Sequence, residues 1–164
     1  VEGGEGGGFK NPRDVATMVL LPLVCSRVGV PVIAAGGICD GRSMAAAFAL
    51  GAEGVQMGTA MVSAAESPVH ANFKQAICDA AETDTVFLNR HHRPGLRALR
   101  TKVELGELGR VLELYFGGDM EASIALAGQV AGRIDSVRPV AEILRETMRD
   151  FGEVAGRLGA LVSA

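Results

Sequence analysis

The sequence predicts an α/β chain: the C-terminal part of a (β/α)8 barrel, about two parallel strands of it, followed by a mainly helical region. Three observations carry this. Val30–Ala35 is apolar without alternation, as in a strand buried on both faces, and Glu53–Met57 reads as a second strand. An alanine-rich helical stretch joins them within about 30 residues, the spacing of a βαβ crossover and hence of parallel pairing. Beyond Thr59 the pattern is mostly helical. A complete barrel takes roughly 250 residues, and 164 are present. The expected division is a barrel portion over residues 1–66 and a helical region over 67–164 that packs on it.

The elements follow in order. The opening VEGGEGGGFK is expected to be loop, because glycine loses too much entropy in helix or strand. The chain opens in this cluster at Val1 without an initiator Met, so truncation of a longer parent is expected. Asn11-Pro12-Arg13-Asp14 reads as a helix start, with Asn11 as cap and Pro12 at the first position. Val15, Met18 and Val19 give that helix an apolar face, and Pro22 should break or restart it. After the strand Val30–Ala35, Gly36-Gly37 makes a turn and Asp40 caps a helix over Arg42–Leu50 that Gly51 ends. Glu53–Met57 ends in Gly58-Thr59, with Thr59 expected to cap the next helix. Ser67-Pro68 opens another, carrying Val69, Phe73, Ala76 and Ile77 on one face. Thr83–Leu88 reads as a short strand, and Asn89–Arg100 as basic and turn-rich. Leu105–Phe116 and Met120–Val130 read as helical, separated by Gly117-Gly118. Arg138–Leu161 is a long amphipathic helix, with Val140, Ile143, Leu144, Met148 and Phe151 against Glu142, Arg145, Arg149 and Asp150.

Composition excludes several classes. The net charge of −3 and the absence of a basic stripe argue against nucleic acid as partner. No apolar run approaches the roughly 20 residues of a membrane span, and the start has no signal-peptide pattern. Cys25, Cys39 and Cys78 follow no metal spacing, so no metal is expected and free thiols in a reducing, cytoplasmic compartment are. Adjacent side chains such as His91-His92 rarely point together, which favours a basic exposed loop over a metal site. His70 reads as a surface or satisfied histidine.

Val30–Thr59 is the stretch that carries chemistry. Two glycine turns, Gly36-Gly37 and Gly58-Thr59, end two successive parallel strands, at the edge where α/β ligands sit. Glycines expose backbone N–H groups without side-chain obstruction, and such places bind anions without Lys or Arg. Phosphate binding and plain packing glycines both stay open on this pattern.

PVIAAGGICDGRSMAAAFALGAEGVQMGTAM, with the opening GGEGGGF, VLLPLV, NFKQAI, RPGLRALRT and GQVAGRI, resembles the nitronate monooxygenase (2-nitropropane dioxygenase) family over nearly the whole chain. The flavin-dependent enoyl-acyl carrier protein reductases are similar. The resemblance implies an FMN-containing TIM barrel acting on a small-molecule substrate. It implies FMN phosphate contacts from Gly36 and Gly37 in one loop and from Gly58 and Thr59 in the next, with Gln56 and Met57 leading into that second loop and Ala35 also among the cofactor-binding residues. Glu5, Gly7 and Gly8 would lie near the isoalloxazine and ribityl chain, and the Gln129–Gly132 turn would line the mouth. NAD(P)H is the reductant it suggests, and a homodimer of the full-length parent is left open.

One position departs from the family. Where the family usually reads Gly-Gly-His, this chain reads Gly7-Gly8-Phe9. Phe9 cannot take a carbon-bound proton. Lys10 is adjacent, and is read first as a solvated loop lysine and second as a base. Arg93, Arg97 and Arg100 are read first as a solvated basic face and second as contacts for a dinucleotide or coenzyme A phosphate. The expected function is an FMN-dependent oxidoreductase passing electrons to oxygen or an activated alkene. The alternatives are an NAD(P)H-dependent enoyl-thioester reductase, a phosphate-binding barrel without flavin, and a non-catalytic fragment.

Overall fold

The structure is a computed structural model that describes residues 1–91, 94–101 and 110–162. Its elements are β1 Gly8–Lys10, α1 Thr17–Cys25, β2 Ile33–Ala35, α2 Gly41–Ala49, β3 Gly54–Gln56, α3 Thr59–Val62, α4 Ala71–Asp79, β4 Thr85–Leu88, β5 Gly95–Leu99, α5 Val111–Tyr115 and α6 Val140–Val162. A 3-10 helix, Gln129–Arg133, lies between α5 and α6.

β2 and β3 pair in parallel, Ile33 opposite Gly54 and Ala35 opposite Gln56, with α2 as the crossover. The opening residues form a third parallel segment. Val1 donates to Ile33 O (2.8 Å), Ala35 N to Val1 O (2.7 Å) and Gly3 N to Ala35 O (3.1 Å). β2 is not buried on both faces as expected. Ala34 faces α1 and α2, in a core with Leu21, Val32, Ile38, Ala47 and Ala52, whereas Ile33 faces an open cleft and is half exposed.

A second sheet, of order β1-β5-β4, is antiparallel throughout. It corrects two expectations. The glycine-rich opening does form strand at Gly8–Lys10, because β5 supplies the partner that intrinsic propensity leaves out. Asn89–Arg100 is not simply a basic turn: β5 is buried along its whole length. Arg97 is buried because its guanidinium is satisfied inside, with Nε donating to Gly4 O (2.7 Å) and Asp14 Oδ2 lying 3.7 Å from Nη2. Arg93 lies outside the described residues, and so does 102–109 of the expected helix Leu105–Phe116; the described remainder of that helix is α5.

Other boundaries moved for local reasons. α1 starts at Thr17 rather than at Asn11, whose side chain instead accepts from Arg13 N (3.0 Å) in a turn. Pro22 sits inside α1; it forfeits one ladder bond without ending the helix. α4 starts at Ala71, capped by His70 Nδ1, which accepts from Asn72 N (3.1 Å). Residues 120–128 are not helical. Ser123, Ile124, Ala125 and Ala127 are buried there, and Ala125 O accepts from Leu99 N (2.9 Å).

α6 packs on α2 through a face rotated from the one expected. Ile143 and Thr147 are buried and the Phe151 ring lies tilted against Phe48 with centroids 5.3 Å apart, while Leu144 and Met148 are exposed. The closest approach is at Gly41. A methyl group there would lie 2.3 Å from Phe151 N and 2.4 Å from Thr147 O. Among the described residues no helix is long and apolar enough to cross a membrane, and Cys25, Cys39 and Cys78 are free thiols.

Asp40 caps α2 as expected, in a capping box. Its Oδ1 accepts from Ser43 N (2.8 Å), Ser43 Oγ accepts from Asp40 N (3.1 Å), and Arg133 pairs with Oδ2 at 2.5 Å. Burial alone would raise this carboxyl, but the Ser43 hydrogen bonds and Arg133 outweigh it and hold it below the usual carboxylate value. A pKa depressed in the folded state contributes stability above the unfolded value of about 3.9, lost as pH falls through the folded value. Melting temperature measured from pH 5 downward should therefore fall less steeply in Asp40→Asn than in the wild type. Parallel profiles would refute the assignment.

Candidate functional site

A cleft of about 450 Å³ opens at the C-terminal ends of β2 and β3, beside the opening segment. Its walls come from Glu2 and Glu5–Gly8, from Ile33 and Ala35–Ile38, from Gln56, Gly58, Thr59 and Val62, and from Leu126, Gly128 and Val130. Nine of the ten residues expected around a cofactor thus share one cavity: Glu5, Gly7, Gly8, Ala35, Gly36, Gly37, Gln56, Gly58 and Thr59. Met57 is not among them, because its side chain packs on the opposite face against the Leu21 and Val32 core.

The backbone at the two strand ends is unusual. Gly36 (φ 82°) and Gly37 (φ 77°) are both left-handed, a pair of conformations that only glycine adopts readily. A Cβ at Gly36 would come within 3.0 Å of Gly3 O and Gly6 N, whereas one at Gly58 or Gly8 would meet nothing within 4 Å. The Gly36 N–H belongs to the parallel ladder where Ala35 pairs with Gln56, since Ala35's own N and O are taken by Val1 and Gly3. Among the described residues, the N–H groups of Gly37, Gly58 and Thr59 donate no hydrogen bond outside the helices and strands. Three peptide donors from adjacent strand ends therefore line one cavity that has room beside them. That donor set fits a phosphate.

Thr59 does not cap α3. Its hydroxyl accepts from Gly128 N (2.9 Å) and so ties the 3-10 segment to the end of β3. Gly128 and Val130 line the cleft, and Gln129 N donates to Glu5 O (2.9 Å). The Glu5 carboxylate accepts from Thr17 N at 3.0 and 3.1 Å, and so serves as a cap for α1 from twelve residues upstream. Glu2 pairs with Lys10 at 2.7 Å. Both carboxylates that line the cleft are thus engaged, which lowers their opposition to an anion.

Phe9 and Lys10 alternate across β1. The Phe9 ring points outward and is 59% exposed. Lys10 is 9% exposed, not solvated as expected, and its Nζ bonds Glu2 and Gly3 O (3.3 Å). It does not line the cleft, and its donors are committed to holding the loop. Burial pulls the Arg97 guanidinium below its ordinary value, with Asp14 opposing. Sequence reasoning missed Leu126 and Gly128 as walls of the cleft, and read Arg97 first as a solvated face, whereas it is buried and does not line the cleft. The one signal available was RPGLRALR, an arginine flanked by strand-forming leucines.

Residues 1–112 match the family described as nitronate monooxygenase. A probable nitronate monooxygenase of Staphylococcus saprophyticus is 45% identical over 92 residues, 53% of this chain and 26% of that protein. Another, from Staphylococcus aureus, is 47% identical over 89 residues, 52% of this chain and 25% of that protein. The chain spans about a quarter of the length of these curated relatives. Among solved structures, FabK from Thermotoga maritima superposes with a TM-score of 0.92 at 39% identity, over 98% of this chain and 56% of that one. A nitroalkane oxidase from Streptomyces ansochromogenes shares the fold, with a TM-score of 0.82 at 23% identity over 96% of this chain and 52% of that one. The fold is the C-terminal part of a (β/α)8 barrel with a helical C-terminal region.

Proposed function

The chain belongs to the nitronate monooxygenase family, and we propose that it supplies the phosphate-binding side of an FMN-dependent oxidoreductase site. The observation that carries the reading is the set of N–H groups at Gly37, Gly58 and Thr59 left without a partner around one cavity. These would hold the phosphate of FMN. Gly7 and Gly8 let the backbone approach the rest of the cofactor without a side chain between, and Ala35 and Gln56 close the sides. When bound, FMN supplies redox chemistry between a reductant, NAD(P)H or the substrate itself, and oxygen or an activated alkene. An eight-stranded barrel has five strands beyond the three parallel segments here, and in such a barrel the remaining walls of the site would come from those. Residues 1–66 would carry most of the cofactor contacts and 67–164 would support them.

A second reading concerns the acceptor, and Phe9 favours it. Use of a neutral nitroalkane needs a group to take its carbon-bound proton, the step that makes the nitronate. Phe9 cannot do so, and Lys10 is turned into an ion pair. Reduction of an enoyl thioester by NAD(P)H through bound FMN tolerates that loss. The test is a visible spectrum of the purified protein, incubation of the oxidised protein with a neutral nitroalkane in air, and anaerobic reduction with NADPH followed by an enoyl thioester. A yellow protein that reduces the thioester and leaves the neutral nitroalkane is expected. Rapid oxidation of the neutral nitroalkane would overturn the reading of Phe9, and a protein that binds phosphate but not FMN would overturn the cofactor.

A further inference from the structure

We propose that Arg97 and Lys10 are positioning residues for the phosphate cradle, acting together as a two-cation clamp on the glycine turn beneath it. The inference rests on the FMN reading above and deepens it.

The turn is Gly3-Gly4-Glu5-Gly6, closed by Gly6 N donating to Gly3 O (3.2 Å). Such a segment is costly to order, because glycine has the most backbone freedom to lose. Two cations restrain it. Lys10 Nζ lies 3.3 Å from Gly3 O, and Arg97 Nε lies 2.7 Å from Gly4 O. Both side chains project from one face of the β1–β5 pair, where Gly8 stands opposite Arg97 and Gly95 opposite Lys10. Glycine in both opposing positions leaves the path to the turn clear.

The turn in its turn sets Gly36. Gly3 N donates to Ala35 O (3.1 Å), in the peptide that joins Ala35 to Gly36, and the Thr17 hydroxyl lies 2.9 Å from Glu5 Oε2 and 3.1 Å from Gly36 O, in the peptide that joins Gly36 to Gly37. A shift of the turn therefore carries with it the peptide that presents the Gly37 N–H. Neither cation lines the cavity. Their charge is spent on carbonyl oxygens and on Glu2 and Asp14, which leaves the anion to the backbone donors.

FMN and riboflavin differ by the phosphate alone, so the ratio of their dissociation constants reads the cradle. Flavin fluorescence titration of Arg97→Met should show FMN binding weakened about tenfold or more, the loss expected of a charge-assisted hydrogen bond. Riboflavin binding should change less than about threefold on the same grounds, since it has no phosphate to lose. Lys10→Met should move the ratio in the same direction, and it decides alone if Arg97→Met does not fold. Equal losses for both ligands would mean that the clamp merely stabilises the fold, and would overturn the proposal. An unchanged FMN affinity would overturn it as well. A wild type that binds FMN no better than riboflavin would overturn the phosphate reading itself, and the clamp with it.

Discussion

Gly36→Val is expected to weaken FMN binding by at least about a hundredfold, through two separate effects. Gly36 has φ 82°, where a β-branched residue is a genuine outlier and the strain costs about 1–3 kcal/mol. The new side chain would also start 3.0 Å from Gly3 O and Gly6 N, so the turn must retreat and the Gly37 N–H loses its aim. A hydrogen bond to a charged group, worth about 1.5–3 kcal/mol, is then lost or bent. Gly29→Ala is the control: a Cβ there meets nothing within 4 Å and the backbone is not left-handed. Its FMN affinity should stay within about twofold of wild type. Flavin fluorescence, with circular dichroism to confirm folding, makes the comparison. Wild-type affinity in a folded Gly36→Val protein would remove the cradle from consideration.

Gly41→Val should produce the largest loss of stability. Gly41 opens α2 directly against the backbone of α6, and a Cβ there would sit 2.3 Å from Phe151 N, 2.4 Å from Thr147 O and 2.7 Å from the Asp150 carbonyl carbon. These are main-chain atoms, so no rotamer change relieves the overlap. α6 must move outward, and the contacts of Ile143, Thr147 and the Phe48–Phe151 pair go with it. Overpacking of this kind costs about 3 kcal/mol or more, or roughly 10 °C in Tm for a chain of this size. A thermal melt within about 2 °C of wild type would show that the two helices are not held this closely.

The βαβ unit was readable because its signals are local. The apolar run at Val30–Ala35, the glycine pair after it and the Asp40 cap lie within a dozen residues, and each specifies a conformation by itself. What escaped reading depends on distant partners. Nothing in VEGGEGGGFK announces that Gly8–Lys10 will pair with Gly95–Leu99, since glycine argues against strand until the other strand is present. Nor does a sequence say which carbonyl will satisfy a buried guanidinium, so Arg97 looked like surface. Lys10 looked solvated because its alternation with Phe9 means something only once β1 exists. The start of α1 was placed early because its cap is Glu5, twelve residues upstream, rather than a neighbour. In α6 the apolar positions gave the right element and the wrong face. Thr147 is buried and Met148 exposed, because close backbone approach at Gly41 selects the small side chain.

The bond from Arg97 to Gly4 spans 93 residues of sequence, and this has a consequence for biosynthesis. At about 5–20 residues per second on the ribosome, the glycine turn emerges several seconds before the strand that fastens it. The ends of so long a loop meet at a modest entropic cost, since closure entropy grows only logarithmically with length, but pairing at such separation is slow. The βαβ unit can thus collapse while its floor is still loose. During that interval the nascent segment is open to proteases, and the proposed cofactor cleft lacks its fastened floor.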